Sequence, residues 1–421
     1  MPSASAQNTG PRDVAVIGAG IVGVSAALYL QRDGHRVTVI DPRPPGRGAS
    51  FGNAGAIVTG SCAPEAMPGI LKQVPGMMLD PLGPVTIRWR HLPRLAPWLI
   101  RFVAASRPAR VEAISQALAA LVTRAGAPWR DLTRQAGAED WLRPVGWLKV
   151  YDSDAGFAAT RAQRDLFDRR GITHEVLTGD ELRQLEPALA PIFRHGWFQP
   201  GADYVTNPGR VVERMAAAFV AAGGRIEQAE VTGLDVAVRP RRILTDGGGE
   251  TADVVVLAAG AWSRGLARQL GVKVPLDTER GYHLMLPHPE PNLRRPTVWG
   301  EKSFVLGPME DGLRLNSQVE FAGLAAPPDY RRIRSLLPLA RTMLPSLEPE
   351  EQSVWLGCRP SMPDSLPVIG PSPRYRDAVL AFGHGHLGLT LGPLTGRLVA
   401  DMVAGRDPGF DLAPYGAERW A

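Results

Sequence analysis

The residues most able to do chemistry begin near the N-terminus, at Gly18-x-Gly20-x-x-Gly23. A short β-branched run, Val14-Ala15-Val16-Ile17, precedes it, and an apolar helical run to Arg32 follows, closed by Gly34. A second β-branched run, Arg36 to Ile40, ends at Asp41, eighteen residues beyond Gly23. This order of strand, glycine turn, helix, strand and acid predicts a dinucleotide site. Gly18 permits the tight turn, Gly20 lets a pyrophosphate approach the backbone, and Gly23 lets helix and strand pack closely. The first helical residues, Ile21 and Val22, offer free N–H donors at the positive end of the helix. Asp41 can accept from ribose hydroxyls, with Pro42 just beyond it.

A second formal match, Gly383-x-Gly385-x-x-Gly388, also follows a strand (Ala378 to Phe382) and opens a helix (Leu389 to Ala404). No strand ending in an acid follows it, so it is not a second dinucleotide site. Its glycine-rich helix N-terminus still offers backbone donors to something anionic. With one fingerprint, the cofactor is either NAD, which leaves after turnover, or FAD, which stays. The second helix N-terminus favours FAD, because a reduced flavin carries negative charge near N1 and O2.

Composition narrows the rest. Apolar residues make up 44% and charged residues 21% of 421, ample for a folded core. No stretch of about 18 uncharged apolar residues is present, so no membrane-spanning helix is expected. Two cysteines, Cys62 and Cys358, make neither a disulfide framework nor a four-ligand zinc site, so no metal is expected and both thiols are read as inert. Residues 1–11 read as a frayed tail without a signal-peptide core, which points to a cytoplasmic protein. The net charge of +5 comes without a run of five basic residues, so nucleic-acid binding is not expected. Helices are expected near 112–135, 155–170, 208–222 and 329–344. Strands are expected over 146–151, 253–260, 281–286, 303–307 and 312–316.

Five spaced motifs resemble the D-amino-acid oxidase superfamily of flavoproteins, in its D-amino-acid dehydrogenase branch. They are the N-terminal fingerprint, Gly48-Ala-Ser-Phe-Gly-Asn-Ala-Gly55, Val254 to Gly260, Gly357-Cys-Arg-Pro-Ser-Met-Pro-Asp364 running on to Gly370, and Gly383 to Thr390. Leu276 to His283 and Val319 to Leu324 look similar to the glyphosate oxidoreductases of that branch. The likeness spans about residues 12–416. It implies an α/β fold, with a Rossmann-type FAD-binding domain interwoven with an α+β substrate domain built on an antiparallel sheet. The FAD domain would comprise 12–80, 195–274 and 350–421, and the substrate domain 81–194 and 275–349.

Carried over residue by residue, the resemblance assigns FAD contacts to Gly18, Gly20, Ile21, Val22, Gly23, Asp41, Pro42 and Ser50. It adds Asn53, Ala54 and Gly55 from the second motif, Val231 for the adenine, and Ala259 and Gly260 at a strand end. The loop against the flavin pyrimidine would be Gly385, His386, Leu387, Gly388, Leu389 and Thr390. Arg359 would bind the substrate carboxylate, since a planar guanidinium donates two parallel bonds to one. Tyr282 could donate to the same carboxylate, and Arg280 shares its face of the strand while His283 lies on the other. His384 and His386 are candidate bases, although in this family the neutral amine can lose hydride without one. In relatives with covalent flavin, a cysteine stands seven residues before the Asp of the fourth motif. That position is Gly357 here, so the FAD is expected to be non-covalent.

The resulting expectation is an enzyme: FAD-dependent oxidation of an amino acid or related amine, with hydride passing to the flavin N5 and the imine hydrolysing to a 2-oxo acid. An N-substituted glycine of the glyphosate or iminodiacetate type, giving glyoxylate, is the alternative. An NAD-linked dehydrogenase and a catalytically silent flavin-binding module are the other classes. Oxygen or a quinone would take the electrons. Residues 81–111 hold six arginines, among them Arg88, Arg90 and Arg94, together with Trp89, Trp98, Leu95 and Ile100 and no acid. This composition suits an anionic bilayer, and a peripheral contact with the inner face of the cytoplasmic membrane is expected there, or else packing on the substrate domain.

Overall fold

A computed structural model describes residues 10–69 and 85–421. Residues 1–9 of the expected tail and 81–84 of the basic segment lie outside the described residues.

The N-terminal fingerprint folds as β1 (Asp13–Ile17), α1 (Ile21–Arg32) and β2 (Arg36–Ile40). β1 sits between β2 and the Val254–Leu257 strand, parallel to both, and Val254–Leu257 pairs in parallel with Ala378–Phe382. The six-stranded sheet is completed by Arg225–Glu227 outside β2 and an antiparallel Val368–Pro371 strand at the other edge. Its central strands are buried on both faces, which is why they read as continuous Val, Ile and Leu runs. Helices α1 and Gly388–Ala404 follow β1 and Ala378–Phe382, so both helix N-termini open at the same end of the sheet.

The glycines are steric requirements. Gly18 has φ +112°, and a Cβ there would lie 2.4 Å from the Ala258 carbonyl oxygen. A Cβ at Gly23 would lie 1.9 Å from the Gly18 carbonyl oxygen. At Gly20, by contrast, the nearest neighbour of a Cβ would be the Ser50 hydroxyl at 3.5 Å, leaving room above the turn.

The second sheet is large and mostly antiparallel. Its order is Ser353–Ser361, Asp277–Leu286, Gly312–Phe321, Phe304–Met309, Thr297–Trp299, Trp147–Tyr151, His195–Gln199 and Glu175–Thr178. The short Val85–Ile87 strand adds in parallel to Gly312–Phe321. Two strands expected in the FAD-binding unit, His195–Gln199 and Ser353–Ser361, are hydrogen-bonded into this sheet instead. The Gly126–Ala136 helix, expected with the substrate unit, packs Trp129 and Leu132 into the core around α1, and the Trp129 indole donates to the Leu389 carbonyl at 3.0 Å. The helix expected near 329–344 is two short pieces, Arg331–Arg334 and Leu337–Met343.

Gly23→Ala tests the packing of the fingerprint. Overpacking of this kind costs on the order of 1–3 kcal/mol. The expected outcome is a lower melting temperature and protein purified with less bound flavin, read from the absorbance ratio of flavin to protein.

Candidate active site

Between the two sheets lies a cavity of about 620 Å³. One end is the fingerprint turn. There the Ala19 and Arg43 amides donate to the two oxygens of Asp41, each at 2.9 Å, and the Ile21 amide donates to the Ser50 hydroxyl at 3.0 Å. Gly20, Ile21, Val22, Asp41, Ser50, Asn53, Ala54, Ala259 and Gly260 all line the cavity, as do Gly385 to Leu389. The sequence missed Arg43 and Trp262, which stack with the guanidinium 4.6 Å from the ring centroid at this end.

Other expected contacts play supporting parts. Gly18 and Gly23 shape the turn from behind it. Gly55 has φ +81° with the Val205 carbonyl oxygen 2.4 Å from a would-be Cβ, so it lets two backbones meet. The Thr390 hydroxyl accepts from the Val58 amide at 3.2 Å and donates to the Ala56 carbonyl at 3.3 Å, clasping that segment to the helix. Pro42 presents its carbonyl to Gln228, and Val231 begins a small three-stranded sheet packed on the core.

The Gly48–Gly55 loop is fastened to the large sheet from above. Arg314 donates to the carbonyls of Phe51 (3.2 Å) and Asn53 (2.8 Å), and Asn316 donates to that of Gly52 (3.0 Å). Burial pulls the Arg314 pKa down to about 10. The His283 ring nitrogen lies 3.3 Å from the same Gly52 carbonyl, and burial next to Arg314 lowers its pKa to about 3, so the ring is neutral. Trp355 stacks on His283 at 5.2 Å and covers Gly52 and Gly357, where a Cβ would lie 1.9 and 2.1 Å from its ring.

The far end of the cavity carries the charges. Arg359 projects from the Ser353–Ser361 strand over Gly281 of the neighbouring Asp277–Leu286 strand, and a Cβ at 281 would lie 2.2 Å from the guanidinium. Burial lowers its pKa, partly offset by Glu279 and Glu65. Glu279, opposite Arg359 in register, accepts from Ser361 at 2.6 Å and pairs with His386 at 2.8 Å. Burial pushes the Glu279 pKa up, but His386, Ser361 and Arg359 together hold it below the usual carboxylate value. Burial pushes His386 down, and Glu65 and Glu279 more than reverse this, so its pKa is raised. Glu279, Glu65 and Lys149 were not singled out from the sequence. Only Glu279 carried a usable signal, standing two residues before Gly281 and hence on the same strand face.

Tyr282 and His384 also line the cavity, but the side chains of Tyr282, Arg280 and His384 are engaged away from Arg359. Tyr282 and Arg280 share a face, as expected, but it is the face away from Arg359. The Tyr282 hydroxyl donates to Glu320 at 2.6 Å and accepts from the Asp329 amide at 3.1 Å. Arg280 pairs with Glu320 at 3.3 Å and donates to the Pro327 carbonyl at 3.1 Å. The register pairs Arg280 with Cys358 and Glu279 with Arg359, so strand alternation puts the Arg280, Tyr282 and Cys358 side chains on the strand face opposite to that of Arg359. The His384 ring is tied to the Thr395 hydroxyl at 3.0 Å, and burial lowers its pKa to about 4. It is a neutral, positioned residue, and His386 is the histidine that meets the charged groups.

The comparisons fit this architecture. A family model described as "FAD dependent oxidoreductase" matches residues 13–402. The chain belongs to that family, the D-amino-acid oxidase type of flavoprotein, and it is an FAD-dependent enzyme. A protein named "D-amino-acid oxidase" from Bradyrhizobium diazoefficiens is 40% identical over 97% of this chain and 99% of its own length. One named "D-amino acid dehydrogenase 2" from Mesorhizobium japonicum is 32% identical over 94% and 98%. Among solved structures, glycine oxidase from Geobacillus kaustophilus aligns with a TM-score of 0.73 at 25% identity, covering 97% of this chain and 98% of that one. The residues present fit FAD: the turn leaves space at Gly20, and the second helix N-terminus, at Leu387, has no side-chain cap to occupy its free amides.

Gly281→Ala tests the seat of Arg359. The methyl must displace the guanidinium, so KM for substrate should rise roughly tenfold or more, while flavin content stays at the wild-type level. Steady-state kinetics on the flavin-loaded protein gives the answer.

Proposed function

We propose that this protein oxidises a D-amino acid, or a related small amine bearing a carboxylate, to an imine that hydrolyses to a 2-oxo acid. The observation that carries the reading is the buried Arg359, held over Gly281 in the same cavity as the dinucleotide cradle. The guanidinium would hold the substrate carboxylate by parallel hydrogen bonds and so fix which carbon faces the cofactor. The Glu279–His386 pair would steady Arg359 and the helix N-terminus from one side. Bound FAD would supply the two-electron acceptor for the hydride. Its contacts would be the turn at Gly20–Val22, Asp41, Ser50 and the amides of Gly385–Leu389, whose partial positive charge suits a ligand that gains negative charge. The names of the D-amino-acid oxidase and dehydrogenase relatives support this substrate class.

An N-substituted glycine presents the same carboxylate to Arg359 and would give glyoxylate. The likeness of Leu276–His283 and Val319–Leu324 to glyphosate oxidoreductases favours that second reading. Oxygen or a quinone would reoxidise the cofactor.

Arg359→Ala tests the proposal. Leaving the carboxylate unpaired in a desolvated site costs about 2–5 kcal/mol, so kcat/KM should fall roughly 10²-fold or more, with FAD retained. Near wild-type kcat/KM would remove Arg359 from substrate binding. The same preparations test the non-covalent attachment that Gly357 favours: acid precipitation should release all the yellow colour, and colour in the pellet would show a covalent bond.

Within the basic segment, we propose that the Leu92–Ala105 helix rests on an anionic membrane surface. Leu95 and Trp98 turn inward against Phe321, and Arg88 is drawn into an ion pair with Glu320 at 2.7 Å. Trp89 and Ile100 remain 69% and 70% exposed, beside the exposed Arg90, Arg94 and Arg101. No helix among the described residues is long and apolar enough to cross a membrane. Co-sedimentation with anionic liposomes should weaken with salt and drop when Arg90, Arg94 and Arg101 become Ser. Equal recovery with neutral and anionic vesicles at low salt would assign the exposed face to another role.

A further inference from the structure

Lys149 is a cation that the reaction above leaves unused. It comes from the Trp147–Tyr151 strand of the large sheet, hydrogen-bonded in register to Trp197 and to Val298, and it lines the same cavity as Arg359. Its ammonium lies 4.9 Å from the centroid of the Trp197 ring. It forms no ion pair among the described residues. Glu65 is the carboxylate whose charge acts on it, and the same carboxylate acts on Arg359 and His386. Glu65, Arg359 and Lys149 thus line one chamber. Glu279 is already engaged by Ser361 and His386.

The Trp197 face attracts the ammonium but supplies no negative charge or hydrogen-bond acceptor to replace lost water, so an anion is the partner that would complete its surroundings. Burial accordingly lowers the Lys149 pKa, and Glu65 only partly opposes this. A substrate with a single carboxylate fills Arg359 and leaves Lys149 without a partner. We propose that Lys149 receives a second anionic group of the substrate, so that the preferred substrates carry two acidic groups, one for Arg359 and one for Lys149. Two sources share that chemistry: an acidic D-amino acid, and an N-substituted glycine ending in a carboxylate or phosphonate. The inference rests on the reading of Arg359 as the carboxylate anchor.

The test uses the FAD-loaded full chain and two readouts. The first is perturbation of the flavin absorbance by two non-oxidisable ligands, glutarate and butyrate, of which butyrate lacks the second carboxylate. Wild type should bind glutarate roughly tenfold or more tighter than butyrate, Lys149→Met should lose that preference, and Lys149→Arg should restore most of it. The second is the ratio of kcat/KM for D-glutamate and D-aspartate to that for D-alanine, which should fall by a similar factor in Lys149→Met, mostly through KM. Iminodiacetate and N-(phosphonomethyl)glycine in parallel decide between the two sources. Equal binding of glutarate and butyrate by wild type overturns the proposal even if the Lys149 variants fail to fold. So does a glutarate preference that survives in Lys149→Met. Lower melting temperatures in both Lys149→Met and Glu65→Gln, with the glutarate preference intact, would assign Lys149 to Glu65 alone and overturn it too. If wild type prefers glutarate but oxidises none of these amines, the anion site stands and the reading of the reaction falls.

Discussion

The site depends on the close crossing of α1 and the C-terminal Gly388–Ala404 helix. A Cβ at Gly396 would lie 2.5 Å from the Ser25 carbonyl carbon, and one at Gly392 would lie 2.6 Å from the Ile21 side chain. The two helices can touch only because these positions have no side chain. They follow parallel strands of one sheet, separated only by Val254–Leu257, so their N-termini emerge on the same edge. Two helix N-termini, at Ile21 and Gly388, far apart in the sequence, therefore face one cavity. A dinucleotide needs a donor cluster at its pyrophosphate and is helped by another at the ring that gains charge. The crossing supplies both from helices that are rigid and buried, so the cradle exists without any loop closing over it.

The large sheet does the complementary work from the other side. It does not simply cover the cavity. Arg314, Asn316 and His283 hold the carbonyls of Phe51, Gly52 and Asn53, so the loop that follows the fingerprint is bonded to the sheet bearing the substrate end. Arg314 has carbonyl partners where a carboxylate would be the usual one. Carbonyls satisfy the guanidinium without adding a negative charge. The spacing between the cofactor turn and Arg359 is fixed by these bonds rather than by the connecting chain.

The fingerprint was legible because its glycines answer local steric demands that recur at fixed spacing. Arg359 and the Gly383–Leu389 turn were legible through the family motifs. Tyr282 and Arg280 show where such reasoning stops. Alternation tells which residues share a face and is silent on which face looks inward. An apolar-polar contrast would decide it, but the Asp277–Leu286 strand is buried almost throughout and both its faces carry charge. The side was settled by Glu320 and Arg88, neither of which is near in sequence. Lys149 was illegible for a related reason. Lysine in an alternating strand reads as a solvent residue, and only the packing of the Trp147–Tyr151 strand beside Thr297–Trp299 puts it on an enclosed wall. Edge pairing recruits His195–Gln199 and Ser353–Ser361 into the large sheet, and such pairing leaves little trace in composition.

One strand thus bears two charge networks on opposite faces. On the cavity side, Asp277 pairs with His91 at 3.1 Å and Glu279 pairs with His386. On the reverse side, Arg280, Arg88 and Tyr282 all converge on Glu320. Desolvated charges on one face would polarise an unmatched strand, and pairing each within its own face keeps the networks independent. This also explains why part of the basic 81–111 segment is structural. Arg88 is paired with Glu320 and His91 is hydrogen-bonded to Asp277, and they anchor the start of the Leu92–Ala105 helix beside the substrate wall. The basic residues left outside are those beyond that anchor, so the exposed face of the helix is tied to the active-site sheet by an ion pair and a hydrogen bond at its N-terminal end.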